Sequence, residues 1–229
     1  MLKKILLMAS LFIVVFSTMA FAAEKPEVID LVLILDKSGS MHGLEADTIG
    51  GFNAMIEKEK KEQLPVKVTT VLFNNSEQVL YERKDIGSVP ELTNKDYVTG
   101  GTTALLDALG DTLSRMDSVN CLPEKRKVIV VITTDGKENA SREFTKDKIK
   151  EMVAELQAEK NWEFIFLGAN IDAIGEAGSL GITHAAKYQN DGEGVRQNFE
   201  AVSVLVTDAA SGKSAEESTW KDEVKQAEN

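Results

Sequence analysis

Unbroken apolar runs alternate along this chain with segments whose apolar residues recur every three or four positions. The runs from 31 to 35 and from 128 to 132 contain the β-branched residues typical of buried parallel strands. Between 104 and 116, Leu105, Leu109, Leu113 and Met116 are spaced to form one face of a helix. Alternating strands and helices of this kind predict a doubly wound sheet of the α/β class.

The pattern predicts strands at Ile29–Leu35, Val66–Phe73, Gln78–Arg83, Lys127–Thr133, Trp162–Leu167 and His184–Tyr188. It predicts helices at about Leu44–Gln63, Ala104–Met116, Thr145–Glu159, Ala173–Ser179 and Gly194–Ala210. The second and third strands are joined by Asn74-Asn75-Ser76, residues that favour a tight turn, so this pair should be an antiparallel hairpin.

The two ends of the chain differ from this central region. Lys3 and Lys4 precede an apolar stretch from 5 to 16, and Ala20-Phe21-Ala22 has the small residues of a signal-peptidase site. We therefore predict a signal peptide at 1–22, a single globular domain at 23–210 and a polar C-terminal tail at 211–229. The alternative for the N-terminus is a retained membrane anchor, against which the Ala-x-Ala ending argues. The predicted location is exported, either periplasmic or secreted.

Composition and charge exclude some classes of partner. The 229 residues are 43% hydrophobic and 28% charged, which is ample for one core. The net charge is −11, and removal of the predicted signal peptide, with two lysines and no acids, makes it −13. Such an acidic chain disfavours nucleic acid and anionic lipid, and we expect a monomer with no membrane insertion after cleavage. The single cysteine, Cys121, excludes an internal disulfide.

Oxygen-bearing side chains follow the predicted strands at three places. They are Asp36, Ser38 and Ser40 in Asp36-Lys37-Ser38-Gly39-Ser40, Thr102 in Gly100-Gly101-Thr102-Thr103, and Asp135 in Thr134-Asp135-Gly136. Loops that leave neighbouring parallel strands can meet at the carboxyl edge of a sheet. Hydroxyls and carboxylates without thiol or imidazole suit Mg²⁺, with Mn²⁺ or Ca²⁺ as alternatives. The structural alternative is that Asp36 caps a helix and the serines only form a turn.

These three segments resemble the metal-ion-dependent adhesion site of von Willebrand factor type A domains, and the resemblance extends from about Val28 to Leu205. It implies a Rossmann-like, mostly parallel sheet of six strands with one antiparallel edge strand and helices on both faces. It also implies that Ser38, Ser40 and Thr102 contact Mg²⁺ directly, with Asp36 and Asp135 acting directly or through water. Thr103 leaves an ambiguity of one residue, and we favour Thr102 because it directly follows the glycine pair.

The resemblance implies a non-enzymatic binding module, with no catalytic residues, that holds the Asp or Glu carboxylate of a partner protein through Mg²⁺. Lys137 and Glu138, beside Asp135, are the loop charges that we expect to contact the partner. A Mg²⁺-dependent hydrolase is a second hypothesis, but no general base or Gly-rich phosphate loop accompanies the site, and His42 has no evident acid to orient it. A third is a scaffold or assembly subunit with a structural metal site.

Overall fold

A computed structural model describes residues 25–119 and 125–225, so that the predicted signal peptide and Cys121 lie outside the described residues. The strands are β1 Val28–Asp36, β2 Val66–Phe73, β3 Glu77–Asp85, β4 Arg126–Thr134, β5 Glu163–Gly168 and β6 His184–Lys187. The α-helices are α1 Glu45–Glu62, α2 Leu105–Ser118, α3 Lys146–Lys160, α4 Ala173–Ser179, α5 Gly192–Ala210 and α6 Trp220–Lys225. Short 3₁₀ turns cover Gly39–Met41 and Ile86–Ser88.

The strands form one sheet in the order β3-β2-β1-β4-β5-β6. The edge strand β3 is antiparallel to β2, and all other neighbouring pairs are parallel. The predicted fold class is confirmed, including the hairpin of β2 and β3. Short turn residues between two strands allow only antiparallel pairing, whereas the parallel pairs need the long connections that the other segments supply.

The core has two layers because β1 is buried on both faces of the sheet. Ile29, Leu31 and Leu33 pack on one side with residues of α1, α5 and α6. Val32 and Ile34 pack on the other side with residues of α2, α3 and α4. Period-two alternation of side chains divides this continuous apolar run between the two layers. Each such side chain contributes about 1.5–3 kcal/mol through removal from water.

Strand register places the ends of β1 and β4 side by side. Leu35 of β1 is paired with Thr133 of β4, so Asp36 lies beside Thr134, and Asp135 follows immediately. The chain leaves β1 for β2 on one side of the sheet and later returns to form β4 on the other. At such a switch point the loops separate and leave a crevice above the carboxyl ends of the strands.

The C-terminal segment, predicted as a polar tail, includes the helix α6 and packs on the domain. The side chain of Trp220 is fully buried, and its indole Nε1 donates to the Ala215 carbonyl oxygen across 3.1 Å. Val224 joins the same core layer, beside α5. Two large apolar side chains are sufficient to hold 211–225 on the domain although the remainder is polar. Within the described residues, no helix combines the length and apolarity needed to cross a bilayer.

Candidate metal centre

Asp36 is the last residue of β1, and its carboxylate is buried and held from two sides. Its Oδ1 accepts a hydrogen bond from the Ser38 backbone N–H at 2.6 Å, and its Oδ2 accepts one from Thr134 Oγ1 at 2.6 Å. Burial raises the pKa of the Asp36 carboxyl and the nearby Asp135 carboxylate adds to this, while the bonds from Thr134 and Ser38 oppose it. The carboxylate is thus orientated before any ligand binds.

A chain of hydrogen bonds links the first motif to the last. Ser38 Oγ lies 3.1 Å from Ser40 Oγ, and Ser40 Oγ donates to Asp135 Oδ1 at 2.5 Å. Ser38 and Asp135 are buried, whereas Ser40 is exposed. The structure therefore brings Asp36, Ser38, Ser40 and Asp135 together, with Ser40 at the solvent side of the cluster.

Of the two adjacent threonines, the structure turns the hydroxyl of Thr103 toward this cluster. Thr102 is exposed, and its backbone N–H donates to Asn75 Oδ1 at 2.9 Å while its hydroxyl lies 3.4 Å from the same oxygen. Thr103 is only 3% exposed. We therefore propose Thr103, in place of the predicted Thr102, as the threonine ligand, because the Thr102 side chain leaves the loop on the side of the β2–β3 turn.

Gly136 provides the space around which the oxygens gather. A Cβ atom at this glycine would lie 3.2 Å from Thr103 Oγ1, 3.3 Å from Ser40 Oγ and 4.0 Å from Asp36 Oδ2. Oxygens from the first two segments thus lie close to the Cα of Gly136, which belongs to the third. Within the described part of the chain the Thr103 hydroxyl makes no hydrogen bond, which leaves its oxygen available to a ligand.

Backbone contacts fix the loops that carry these groups. The Gly39 N–H donates to the Gly101 carbonyl at 3.1 Å, and the Gly100 N–H donates to the Lys37 carbonyl at 2.9 Å. Gly101 has a φ of +81°, and a side chain there would collide with Asn75. The glycine pair is thus needed both for its left-handed backbone and for close approach to the first loop.

Three further residues complete the surroundings of the site. Asn190, in the loop between β6 and α5, donates from Nδ2 to Asp135 Oδ2 at 3.2 Å. The buried Tyr97 hydroxyl donates to the Asp36 carbonyl oxygen at 2.5 Å. The buried Tyr188 hydroxyl has no hydrogen-bond partner among the described residues. Burial raises the pKa of both Tyr97 and Tyr188, so both phenols stay neutral beneath the carboxylates.

Sequence reasoning missed the asparagines that support the site. Asn74-Asn75 reads as a turn, yet Asn74 Nδ2 donates to the Gly100 carbonyl at 2.9 Å. Asn139 and Thr103 exchange two hydrogen bonds, since Thr103 N–H donates to Asn139 Oδ1 and Asn139 N–H donates to the Thr103 carbonyl, both at 3.0 Å. Nothing in local sequence distinguishes a turn asparagine from one that holds a distant loop, so only the long-range contacts reveal these roles.

Glu138, one of the two loop charges predicted to contact the partner, is hydrogen-bonded within the protein. Its carboxylate accepts from the backbone N–H groups of Ala140, Ser141 and Leu106, at 2.8, 2.7 and 3.0 Å. It therefore ties the loop after β4 to the N-terminus of α2. Lys137 remains exposed at the same loop.

The donor set fits a hard divalent cation. The cluster consists of two carboxylates and three hydroxyls, the oxygen types that Mg²⁺, Mn²⁺ and Ca²⁺ take. Among the described residues no group of three or more His, Cys, Asp or Glu side chains could hold a metal, so the hydroxyls are essential to any such site. The unbonded Thr103 hydroxyl and the approach of three oxygens to Gly136 both agree with a bound ion.

Comparison with known proteins agrees with the fold. The family model of the von Willebrand factor type A domain matches residues 30–178. The chain therefore belongs to the von Willebrand factor type A family. The comparison with curated proteins gave no match.

Solved structures of similar fold share little sequence with the chain. Manganese-loaded Plasmodium vivax TRAP protein has 20% identity and a TM-score of 0.54, covering 72% of this chain and 70% of that one. The VWA2 paralog of ArnB from Sulfolobus acidocaldarius has 20% identity and a TM-score of 0.53, with coverages of 76% and 44%. Proximal thread matrix protein 1 of the mussel byssus, with a zinc-occupied MIDAS motif, has 13% identity and a TM-score of 0.52, with coverages of 82% and 46%. The chain thus spans less than half the length of the latter two.

Proposed function

We propose that this protein is an exported, metal-dependent binding module of the adhesion type, which holds a carboxylate of a partner protein at the site above β1 and β4. The observation that carries the proposal is the convergence of Thr103, Ser40 and Asp36 oxygens around the open space at Gly136. Family membership supports it, because von Willebrand factor type A domains are generally adhesion and protein-interaction modules.

Ser38, Ser40 and Thr103 are the residues that we expect to contact the ion directly, with Asp36 and Asp135 acting directly or through water. Mg²⁺ is the proposed ion, with Mn²⁺ or Ca²⁺ as alternatives, because all the donors are hard oxygens. Similar-fold structures described as manganese-loaded and zinc-occupied support a divalent site in this fold. When bound, the cation would supply an open coordination position and a net positive charge to an incoming carboxylate.

The chain's own residues prepare the site for binding rather than for catalysis. Ser40 is engaged by Asp135, and His42 is engaged by Glu45, its Nδ1 lying 3.1 Å from Glu45 Oε1. Glu45 is thus the acid that pairs with His42, a contact that was not evident from the sequence. The imidazole side chain is nevertheless 84% exposed. Neither serine is hydrogen-bonded to a histidine or lysine within the described residues, so neither has the activating base that a serine nucleophile needs.

Export and a protein partner complete the proposal. The signal-peptide pattern at 1–22 supports export to the periplasm or the exterior, and the acidic net charge of −11 supports a protein partner over nucleic acid. The polypeptide would act as a monomer whose loops around Ser40, Thr103 and Gly136 select the carboxylate that is accepted.

Isothermal titration of the purified protein with Mg²⁺, Mn²⁺ and Ca²⁺ tests the site. We expect one-site binding that is lost in Asp36→Ala and Thr103→Ala but retained in Thr102→Ala, which is the matched control because its side chain points away from the cluster. Loss of metal binding in Thr102→Ala, with metal binding retained in Thr103→Ala, would contradict the assigned ligand set.

A pull-down with and without EDTA then separates adhesion from a scaffolding role. Metal-dependent capture of a partner, abolished by Asp36→Ala, supports the proposal. Capture that neither EDTA nor Asp36→Ala reduces would instead indicate a scaffold with a structural metal site.

A further inference from the structure

An open polar groove of about 680 Å³ lies beside the candidate metal centre. Thr102 lies at one side of it and directly precedes Thr103 in the chain, so the groove adjoins the loop that carries Thr103. Its other lining residues are Asn75, Asp107, Asn139, Ala140, Ser141, Arg142 and Glu143. We call this the donor groove because two of its asparagines present N–H donors to it.

Asn75 and Asn139 present amide N–H groups to the donor groove. Asn75 Oδ1 accepts from the Thr102 N–H at 2.9 Å, and Asn139 Oδ1 accepts from the Thr103 N–H at 3.0 Å. A backbone N–H can only donate, so the side-chain atom that faces it must be the oxygen. The Nδ2 group of each asparagine is left without a partner among the described residues.

Arg142 adds a cation to the same groove. Its backbone N–H donates to Asp107 Oδ2 at 2.8 Å. Its exposed guanidinium forms no ion pair within 4 Å in the described part of the chain, although its charge helps to lower the pKa of the Asp107 carboxyl. Asp107 also accepts from the N–H groups of Glu143 and Phe144, both at 2.9 Å, so its carboxylate is occupied by the loop. The one other carboxylate of the groove is that of Glu143, which is exposed. Its charge helps to raise the pKa of Asp111 in α2, although burial is the main cause of that shift.

The free groups nearest the metal centre are thus two amide donors and a guanidinium. Carbonyl oxygens and carboxylates are the groups that satisfy such donors, and a planar guanidinium matches a carboxylate in particular. An extended peptide supplies carbonyl oxygens along its backbone, and an acidic side chain supplies the carboxylate.

We propose that the donor groove binds the partner segment adjoining the metal-bound carboxylate, and that this segment carries a second acidic side chain that pairs with Arg142. This inference rests on the proposed function, since it takes the first carboxylate to be held at the metal centre. It defines the partner more narrowly, as a protein with two acidic residues close together in an exposed, extended segment.

Synthetic peptides test the inference directly. The probes are blocked seven-residue glycine peptides with a central Asp alone, or with a central Asp and a Glu at one other position. Binding is measured by titration calorimetry at saturating Mg²⁺. We expect at least one two-acid peptide to bind about fivefold more tightly than the single-acid peptide, the gain of one exposed ion pair.

Two substitutions assign that gain to the groove. Arg142→Gln should abolish it, whereas Lys148→Gln, on the exposed face of α3, should leave it unchanged. Asn139→Asp keeps the oxygen that accepts from Thr103 but replaces a donor with an acceptor. It should therefore weaken peptide binding measured at saturating Mg²⁺.

The outcomes distinguish this inference from the proposed function. Equal binding of all peptides that contain the central Asp, or a gain that persists in Arg142→Gln, overturns the second contact and leaves the metal-dependent module intact. Saturable Mg²⁺ binding without binding of any peptide overturns carboxylate capture itself, and the groove inference with it.

Discussion

The side-chain amide of Asn190 donates a hydrogen bond to Asp135 across 3.2 Å, linking the loop before α5 to the candidate metal centre. Its partner oxygen is Oδ2, while Oδ1 accepts from Ser40. Both oxygens of one metal-site carboxylate are therefore positioned by neighbouring side chains, one of them distant in sequence.

Replacing Asn190 with Ala should lower Mg²⁺ affinity by about tenfold, because residues that orientate metal ligands commonly contribute that much. Asn190→Asp should lower the Mg²⁺ affinity at least as far, because the substitution places a second carboxylate against Asp135. This holds where the new carboxylate does not itself coordinate the ion. Calorimetric titration measures the change, with Lys187→Ala, exposed at the end of β6, as the control. Unchanged affinity in both Asn190 variants would show that this hydrogen bond is incidental.

Gly136→Ala should weaken metal binding with little effect on folding. The added methyl group would lie 3.2–3.3 Å from the Thr103 and Ser40 hydroxyl oxygens, within the space that a cation would share. The backbone at Gly136 is not in the left-handed region, so alanine introduces no conformational strain there. Titration with Mg²⁺ and thermal melting in EDTA separate the two effects, and Gly87→Ala, which meets no atom within 4 Å, is the control. A large loss of melting temperature in EDTA would indicate a packing role instead.

Because of Glu59, the free energy of unfolding should depend on pH and decrease as the pH rises. Glu59 is fully buried between α1 and α5, where Oε1 accepts from Ser203 Oγ at 2.7 Å, and burial raises the pKa of its carboxyl above 4.5. The folded protein then holds a proton that the unfolded chain releases, so the free energy of unfolding falls as the pH rises from 4.5 through the folded-state pKa. Glu59→Gln should reduce this slope.

Urea unfolding at several pH values from about 4 to 8 measures that slope, with the exposed Glu91→Gln as the control. Ser203→Ala should steepen it, because the hydrogen bond from Ser203 is the main contact that lowers the pKa of Glu59. An identical pH profile for the wild type and Glu59→Gln would show that this carboxyl does not govern the dependence.

Asp30→Ala should destabilise the fold by about 3–5 kcal/mol, because it removes a buried carboxylate that is paired with two arginines. Asp30 is 1% exposed, with Arg83 Nε 2.9 Å from Oδ1 and Arg126 Nη1 3.0 Å from Oδ2. Urea unfolding gives the free energy. Where the variant remains folded, Mg²⁺ affinity should be preserved, since Asp36 is six residues further along an extended strand, about 20 Å away. A cost below about 1 kcal/mol would mean that the ion pairs are screened by solvent.

The sheet was predictable because its strands are defined locally. Leu31–Leu35 and Val128–Ile132 are apolar on both faces, and the alternation with amphipathic helices permits few other architectures. The Asn74-Asn75-Ser76 turn likewise predicted the antiparallel edge correctly. The packing of the C-terminal segment was not predictable because it depends on a few apolar side chains, Ala215, Trp220 and Val224, against a polar background.

The sequence by itself determined the fold class, the family and the three segments that contribute oxygens to the site, because each depends on local residue type and order. Only the tertiary structure decided that Thr103 rather than Thr102 turns inward, and that Asn75, Asn139 and Asn190 hold the surrounding groups. Adjacent threonines in a loop have the same local chemistry. Their directions are set by long-range hydrogen bonds to Asn75 and Asn139, which come from turns that are distant in sequence and meet only when β1, β2 and β4 pair.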